Sequence, residues 1–253
     1  MSARDVLVLA SLLSLLGCEP AVDPGPSGEL ETKLAALEQQ NAALVAERDQ
    51  LAGQLAACRD CRTKNIEAFD AFGTSSAYAE ATDDAVDDAI ALLDARLAAR
   101  KPDEKLALVL DIDETVLSNF EQLDQTDYCF DRNAWNAWVE TGKPKPIAGA
   151  ARLYAWAKER GLAIVFLTGR KEPQRPATER ALREAGFGEW TELILRGPDE
   201  NELEAGEFKS ARRAKLEAAG YVIALTVGDQ ASDLSGGHSE ATLLMPNPFY
   251  MVK

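Results

Sequence analysis

The apolar positions of this chain change their spacing as it runs. From residue 30 they recur in alternating steps of four and three: Leu30, Leu34, Leu37, Asn41, Leu44, Arg48, Leu51, Leu55 and Cys58. This is the a/d seam of a heptad repeat, with leucine at most d positions and an asparagine at one a position, where a buried amide sets register and favours pairs. Residues 30–58 are therefore predicted to form a coiled-coil stalk, through which a homodimer can assemble. Residues 62–100 keep a helical period, with Val86, Ile90, Leu93 and Leu97 on one stripe and Asp83, Asp84, Asp87 and Asp88 on a solvated face. Pro102 ends that stretch.

Beyond it, short continuous apolar runs take over at 106–110, 163–167, 193–195, 221–227 and 242–245. Runs without polar alternation suit strands buried on both faces. Segments of helical period, such as 176–185 and 210–219, lie between several of them. The alternation predicts an α/β fold, a doubly wound parallel sheet with helices on both faces. The stretch between Thr115 and Thr168 exceeds what one crossover helix needs, so a small helical cap is expected near 116–160, with a further cap element near 62–100. The domain as a whole is expected to span 62–253.

Candidate chemistry sits where these runs end. Asp111 and Asp113 follow the first strand, Thr168 and Gly169 the second, and Gly228-Asp229 a later one. In doubly wound sheets ligands collect beyond the carboxyl ends of the strands. Carboxylates leaving a core there require compensation by a cation or strong donors. Asp111 suits a nucleophile and Asp113 an acid/base two residues on. Thr168 and the Gly169 amide suit donors to phosphoryl oxygens, with Arg170 adding charge and Lys209 holding Asp111 ionised. Asp111, Asp229 and the Asp113 main-chain carbonyl form an oxygen-only set of the kind Mg²⁺ prefers, with Asp233 supporting from behind. Trp135 and Trp138 share one face of a cap helix and are candidate substrate contacts. Phe120, Tyr128, Phe130 and Tyr250 serve equally well as pocket or as the cap's own core. Arg196 suits either phosphate or a helix end, and His238 suits a loop.

The net charge of −15 and the absence of a basic stripe exclude a nucleic-acid polymer as partner. The single histidine excludes chemistry that needs several imidazoles. At the N-terminus, Arg4 precedes an apolar run over 6–16 that is too short to span a bilayer and ends at Leu15-Leu16-Gly17-Cys18. This resembles a bacterial lipoprotein signal over 1–18, with lipid on Cys18 as the membrane anchor. A Pro/Gly tether follows over 19–29. The expected location is the bacterial cell envelope, with Glu19 favouring the outer membrane. Cys58, Cys61 and Cys129 then remain, and their pairing stays open.

The motifs D-I-D-E-T-V-L-S-N, F-L-T-G-R, F-K-S and G-D-Q-A-S-D-L occur in that order. They resemble the four motifs of the haloacid dehalogenase (HAD) superfamily. L-T-G-R-K-E-P-Q-R-P-A-T, L-I-L-R-G-P and L-M-P-N-P-F-Y resemble its class B/IIIB acid phosphatases, a family that includes plant vegetative storage proteins and bacterial outer-membrane lipoproteins. The resemblance covers roughly residues 65–253. It implies a Mg²⁺-dependent phosphatase of small phosphomonoesters, nucleotides among them, with a mildly acidic optimum. Some plant storage relatives lack the nucleophile, whereas Asp111 is intact. A phosphotransferase or a substrate-binding surface protein are the alternatives.

Overall fold

The computed structural model describes residues 27–252, without the side chains of 27–31, 34 and 54–64. The predicted lipidation at Cys18, the tether up to residue 26 and the side chains of Cys58 and Cys61, whose pairing the sequence leaves open, lie outside the described residues. Cys129 carries a free, exposed thiol. The chain forms two units, Met1–Cys61 and Arg62–Lys253.

The described part of the first unit belongs to α1 (Ser27–Gly73), a helix of 47 residues that begins three residues ahead of the first heptad leucine. Leu37, Leu44 and Leu51, three successive d positions, are exposed. The helical stretch expected over 62–100 is two helices. Gly73 ends α1, Thr74 turns its hydroxyl back onto the Asp70 carbonyl, and the Ser75 side chain accepts from the Tyr78 amide to start α2 (Ser76–Ala98). Short hydroxyl side chains favour such caps over continued helix.

In the second unit five strands pair in parallel: β1 (Lys105–Leu110), β4 (Ala163–Lys171), β5 (Glu192–Arg196), β6 (Tyr221–Gly228) and β7 (Thr242–Leu244). Their order is β5-β4-β1-β6-β7. The chain therefore runs outward from β1 to one edge, then returns to the other side of it, so the order reverses beside β1. Leu106, Leu108 and Leu110 belong to one core layer and Ala107 and Val109 to the other, as expected of a strand covered on both faces. Helices α5 (Ala148–Glu159), α6 (Arg175–Glu184) and α7 (Ala205–Ala218) connect the strands. On α2, Val86, Ala89 and Leu93 are buried, whereas Asp83 and Asp87 stay exposed and pair with Arg152.

Between β1 and β4 the chain builds the cap: β2 (Leu117–Ser118), α3 (Phe120–Gln125), α4 (Arg132–Thr141) and β3 (Lys145–Pro146), with β2 and β3 antiparallel. Its aromatic interior surrounds Phe249 from the C-terminal segment. Phe69, Tyr78, Phe120 and Tyr128 all place their rings 5.5–6.2 Å from that of Phe249, and the Tyr128 hydroxyl donates to Asp70 at 2.5 Å. Phe120 and Tyr128 are thus the cap's own core, and Phe130 lies exposed.

Candidate active site

The carboxyl ends of β1 and β6 flank the point where strand order reverses, and the Asp111 amide donates to the Val227 carbonyl at 2.9 Å, joining the two ends. After Asp111 the chain turns tightly. The amides of Thr115, Val116 and Leu117 all donate to the Ile112 carbonyl, and Glu114 takes a positive φ of 54° within the turn. On the other lip, Gly228 leaves room for a short helix α8 (Ala231–Leu234), since a Cβ there would lie 2.3 Å from the Asp233 side chain.

The acids converge. Lys209 is buried in the second turn of α7 and reaches Asp111 Oδ1 and Asp233 Oδ1, each at 2.5 Å. Oxygens of Asp111, Asp229 and Asp233 lie within 4.8 Å of one another. Asp229 accepts from Thr115 at 2.9 Å, from Gln230 Nε2 at 2.5 Å and from Asn247 at 2.8 Å. Asp233 Oδ2 accepts the Gln230 amide at 2.9 Å, so both its oxygens are engaged by protein donors.

Burial pushes the Asp111 carboxyl well above the usual range. Lys209 opposes that, and the neighbouring carboxylates add to it. Burial raises Asp229 as well, against its three side-chain donors. Burial alone would lower the Lys209 ammonium, but the charges of Asp111 and Asp233 outweigh it and the net direction is up. Glu114 is pushed up to about 8, first by burial and then by Asp113. Among the described residues, four aspartate carboxyls gather here around two basic side chains, Lys209 and Arg170. An all-oxygen donor set with surplus negative charge fits a hard divalent cation.

Thr168 and Arg170 lie within β4 and are buried, while Gly169 between them is exposed, as strand alternation requires. The Arg170 guanidinium, expected near phosphate, grips Asp113 in a two-pronged pair, Nη2 to Oδ1 at 2.5 Å and Nε to Oδ2 at 3.0 Å. Such bidentate pairs fix orientation as well as charge.

Asn119 fixes the same carboxylate from the cap, Nδ2 to Asp113 Oδ1 at 2.9 Å, and is itself held by the Trp138 indole N–H at 2.7 Å. Trp135, half-buried on α4, lies 5.9 Å from the Arg170 guanidinium. Both tryptophans of that helix face therefore reach the acids through one intermediary each.

Sequence reasoning missed Asn119, Asn247, Gln230 and the role of Glu114. Glu114 accepts from the Asn119 amide at 2.6 Å and the Tyr250 hydroxyl at 2.8 Å. Arg196 donates to the carbonyls of Glu200 and Leu203, and His238 meets Glu217 in an exposed loop, so neither joins the site.

A family described as HAD superfamily, subfamily IIIB (Acid phosphatase) matches residues 31–253. The chain belongs to that family. Acid phosphatase 1 of Solanum lycopersicum is 36% identical over 148 residues, covering 57% of this chain and 58% of the relative. Vegetative storage protein 1 of Arabidopsis thaliana is 29% identical over 158 residues, 61% of this chain and 58% of the relative. The chain thus spans about three fifths of the length of these curated relatives. Among solved structures, the class C acid phosphatase from Bacillus anthracis superposes with a TM-score of 0.62 at 22% identity, covering 76% of this chain and 86% of the other, a likeness of fold. HAD superfamily members typically use a divalent metal, and the Asp111, Asp229 and Asp233 cluster can bind one.

Proposed function

We propose that the chain is an acid phosphatase that hydrolyses small phosphomonoesters, nucleotides among them, through an aspartyl-phosphate on Asp111. The observation that carries this reading is the junction of Asp111, Lys209, Asp229 and Asp233 at the switch point of the sheet, with Asp113 held beside it. In the first step an Asp111 oxygen attacks phosphorus, the bond to the leaving oxygen breaks, and Asp113 gives that oxygen a proton. In the second, Asp113 takes a proton from water as the water oxygen attacks phosphorus, the bond to Asp111 breaks, and phosphate departs. Lys209, Thr168 and the Gly169 amide offset the charge that develops on the phosphoryl oxygens.

Mg²⁺ would be held by Asp111, Asp229 and the Asp113 carbonyl, and when bound would neutralise phosphoryl charge. Asp233, engaged by Lys209 and the Gln230 amide, then serves to orient Lys209. Asp113 is oriented by Arg170 and Asn119, and an acid optimum is part of this reading because the leaving oxygen has to receive a proton.

The test is release of a chromogenic alcohol from its phosphate ester by the full chain. Asp111→Asn is expected to abolish turnover with the fold intact, and retained turnover would remove the nucleophile. Chelator should stop the reaction and Mg²⁺ restore it; indifference to chelator opposes the metal assignment. Added glycerol separates hydrolysis from phosphotransfer, since a glycerol phosphate product reports the latter. We further propose that lipid on Cys18 holds the enzyme in the bacterial cell envelope. Unchanged membrane partitioning of Cys18→Ser would oppose this.

A further inference from the structure

The helix α1 carries a stripe that no described residue of its own unit covers. Leu37, Leu44 and Leu51 recur every seven residues and are 61%, 57% and 56% exposed, with Val45 beside them at 39%. An isolated helix gains little from leucines in water, whereas burying such a seam against another helix is what stabilises long amphipathic helices. The 3.5-residue period from 30 to 58 matches only a partner that repeats at the same period, because each side chain must enter a hole formed by four residues of the facing helix.

We propose that this seam binds a second copy of the same chain, in parallel and in register, as a two-stranded coiled coil. Three features of the repeat select that occupant. Asn41 occupies an a position and is exposed on the single helix. In a parallel, in-register pair it meets the Asn41 of the second copy, so each amide gains a hydrogen-bonding partner. In an antiparallel pair it would face a leucine layer and lose it.

The flanks agree. Lys33 at g and Glu38 at e, five residues apart, carry opposite charges that face one another across a parallel seam. Arg48, the second polar a residue, already pairs with Asp49 on its own helix, Nε to Oδ1 at 2.9 Å and Nη2 to Oδ1 at 2.7 Å. That local pair draws the guanidinium to the outer side of the seam and offsets the repulsion two stacked arginines would feel, while the aliphatic stem still covers leucine.

The geometry ends naturally before the second unit. Continuing the heptad places Phe69 at a and Phe72 at d, and both rings pack within the chain's own second unit, against Phe249 and Tyr78. The same helical face thus serves a second copy in its first part and its own chain in its last turns.

The experiment measures molar mass by light scattering and sedimentation equilibrium on the full chain carrying Cys18→Ala, so that no acyl chain joins copies, in reductant. A dimer at micromolar concentration is expected. Leu37→Ala combined with Leu44→Ala should raise the dissociation constant by at least about a hundred-fold, since four leucine side chains leave the paired seam. Asn41→Leu should shift the assembly toward trimers or tetramers while keeping the helix. Leu44→Cys should cross-link the pair on oxidation in a background with Cys58, Cys61 and Cys129 replaced by serine. A monomeric parent, a parent of higher order than two, or a dimer unmoved by the leucine substitutions would overturn the proposal. Phosphate release per chain is expected to stay constant across the stalk variants, which separates this result from failure of the phosphatase reading.

Discussion

Replacing Lys209 by methionine keeps the length and apolar stem of the side chain and deletes its charge. In the parent, one ammonium bridges Asp111 and Asp233 at 2.5 Å each, and all three groups are buried. Deleting one member of a buried ionic cluster leaves uncompensated charge, which costs about 3–5 kcal/mol. For a domain of this size that corresponds to a fall in Tm of roughly 6–20 °C.

The pH dependence follows from the direction of the shifts. Burial raises Asp111 and Asp229 above their unfolded values, so their contribution is most favourable when they are protonated and is lost as pH rises through the folded pKa. Lys209 is the strongest opponent of that rise in Asp111, with Arg170 a weaker one. The deficit of Lys209→Met should therefore be largest at neutral pH and shrink on acidification. The assay is thermal unfolding in chelator at pH 7.5 and pH 5, repeated with excess Mg²⁺. A divalent ion should recover part of the loss, and Lys209→Arg should recover more at pH 7.5 than Mg²⁺ does at pH 5. A Tm change under about 2 °C at pH 7.5, or a deficit that does not shrink on acidification, would refute the electrostatic account.

Three other outcomes follow from the same network. Trp138→Phe removes the indole N–H that holds Asn119 together with part of the ring's bulk, and should lower kcat about five-fold with KM little changed, as expected for one neutral hydrogen bond; an equal fall in kcat and rise in KM would point to substrate contact. Asn119→Ala should lower kcat further, because it frees Asp113 on the cap side. Glu114, at about 8 in the folded state against about 4.3 unfolded, contributes stability at low pH that is lost as pH rises through 8. Tm in chelator should fall between pH 6 and pH 9, less steeply in Glu114→Gln, and equal slopes would exclude Glu114 as the cause.

The parallel sheet and its rim were legible because each signal is local. A strand buried on both faces is written as a continuous apolar run, and the first polar residue after it marks the carboxyl end. That places Asp111 and Asp229 without knowledge of any contact. Lys209 is visible as a lone cation ahead of an amphipathic segment, although its helix begins four residues earlier, at Ala205. The break at Thr74 was missed because the apolar period resumes in phase on either side of it, and only the cap geometry of Ser75 ends one helix and begins the next.

What the sequence conceals is bonding between elements far apart in the chain, and Asp113, the proposed general acid, depends on that bonding most. Asp113 is gripped by Arg170 from β4 and by Asn119 at the start of the cap, with Trp138 on α4 locking the amide. Each of these is an ordinary polar or aromatic residue when read alone. Together they make the orientation of one carboxylate depend on the seating of the cap helix. Trp135 on that helix lies over the same guanidinium, so a leaving group that displaces α4 would loosen both ends of the clamp at once. Cap seating and acid positioning are then one variable. Substitutions on the α4 face toward the acids should change kcat for substrates of different bulk by different factors, whereas substitutions on its solvent face, such as Asn136→Ala or Ala137→Ser, should not. Bulk-independent effects on the inner face would break the link between cap and acid.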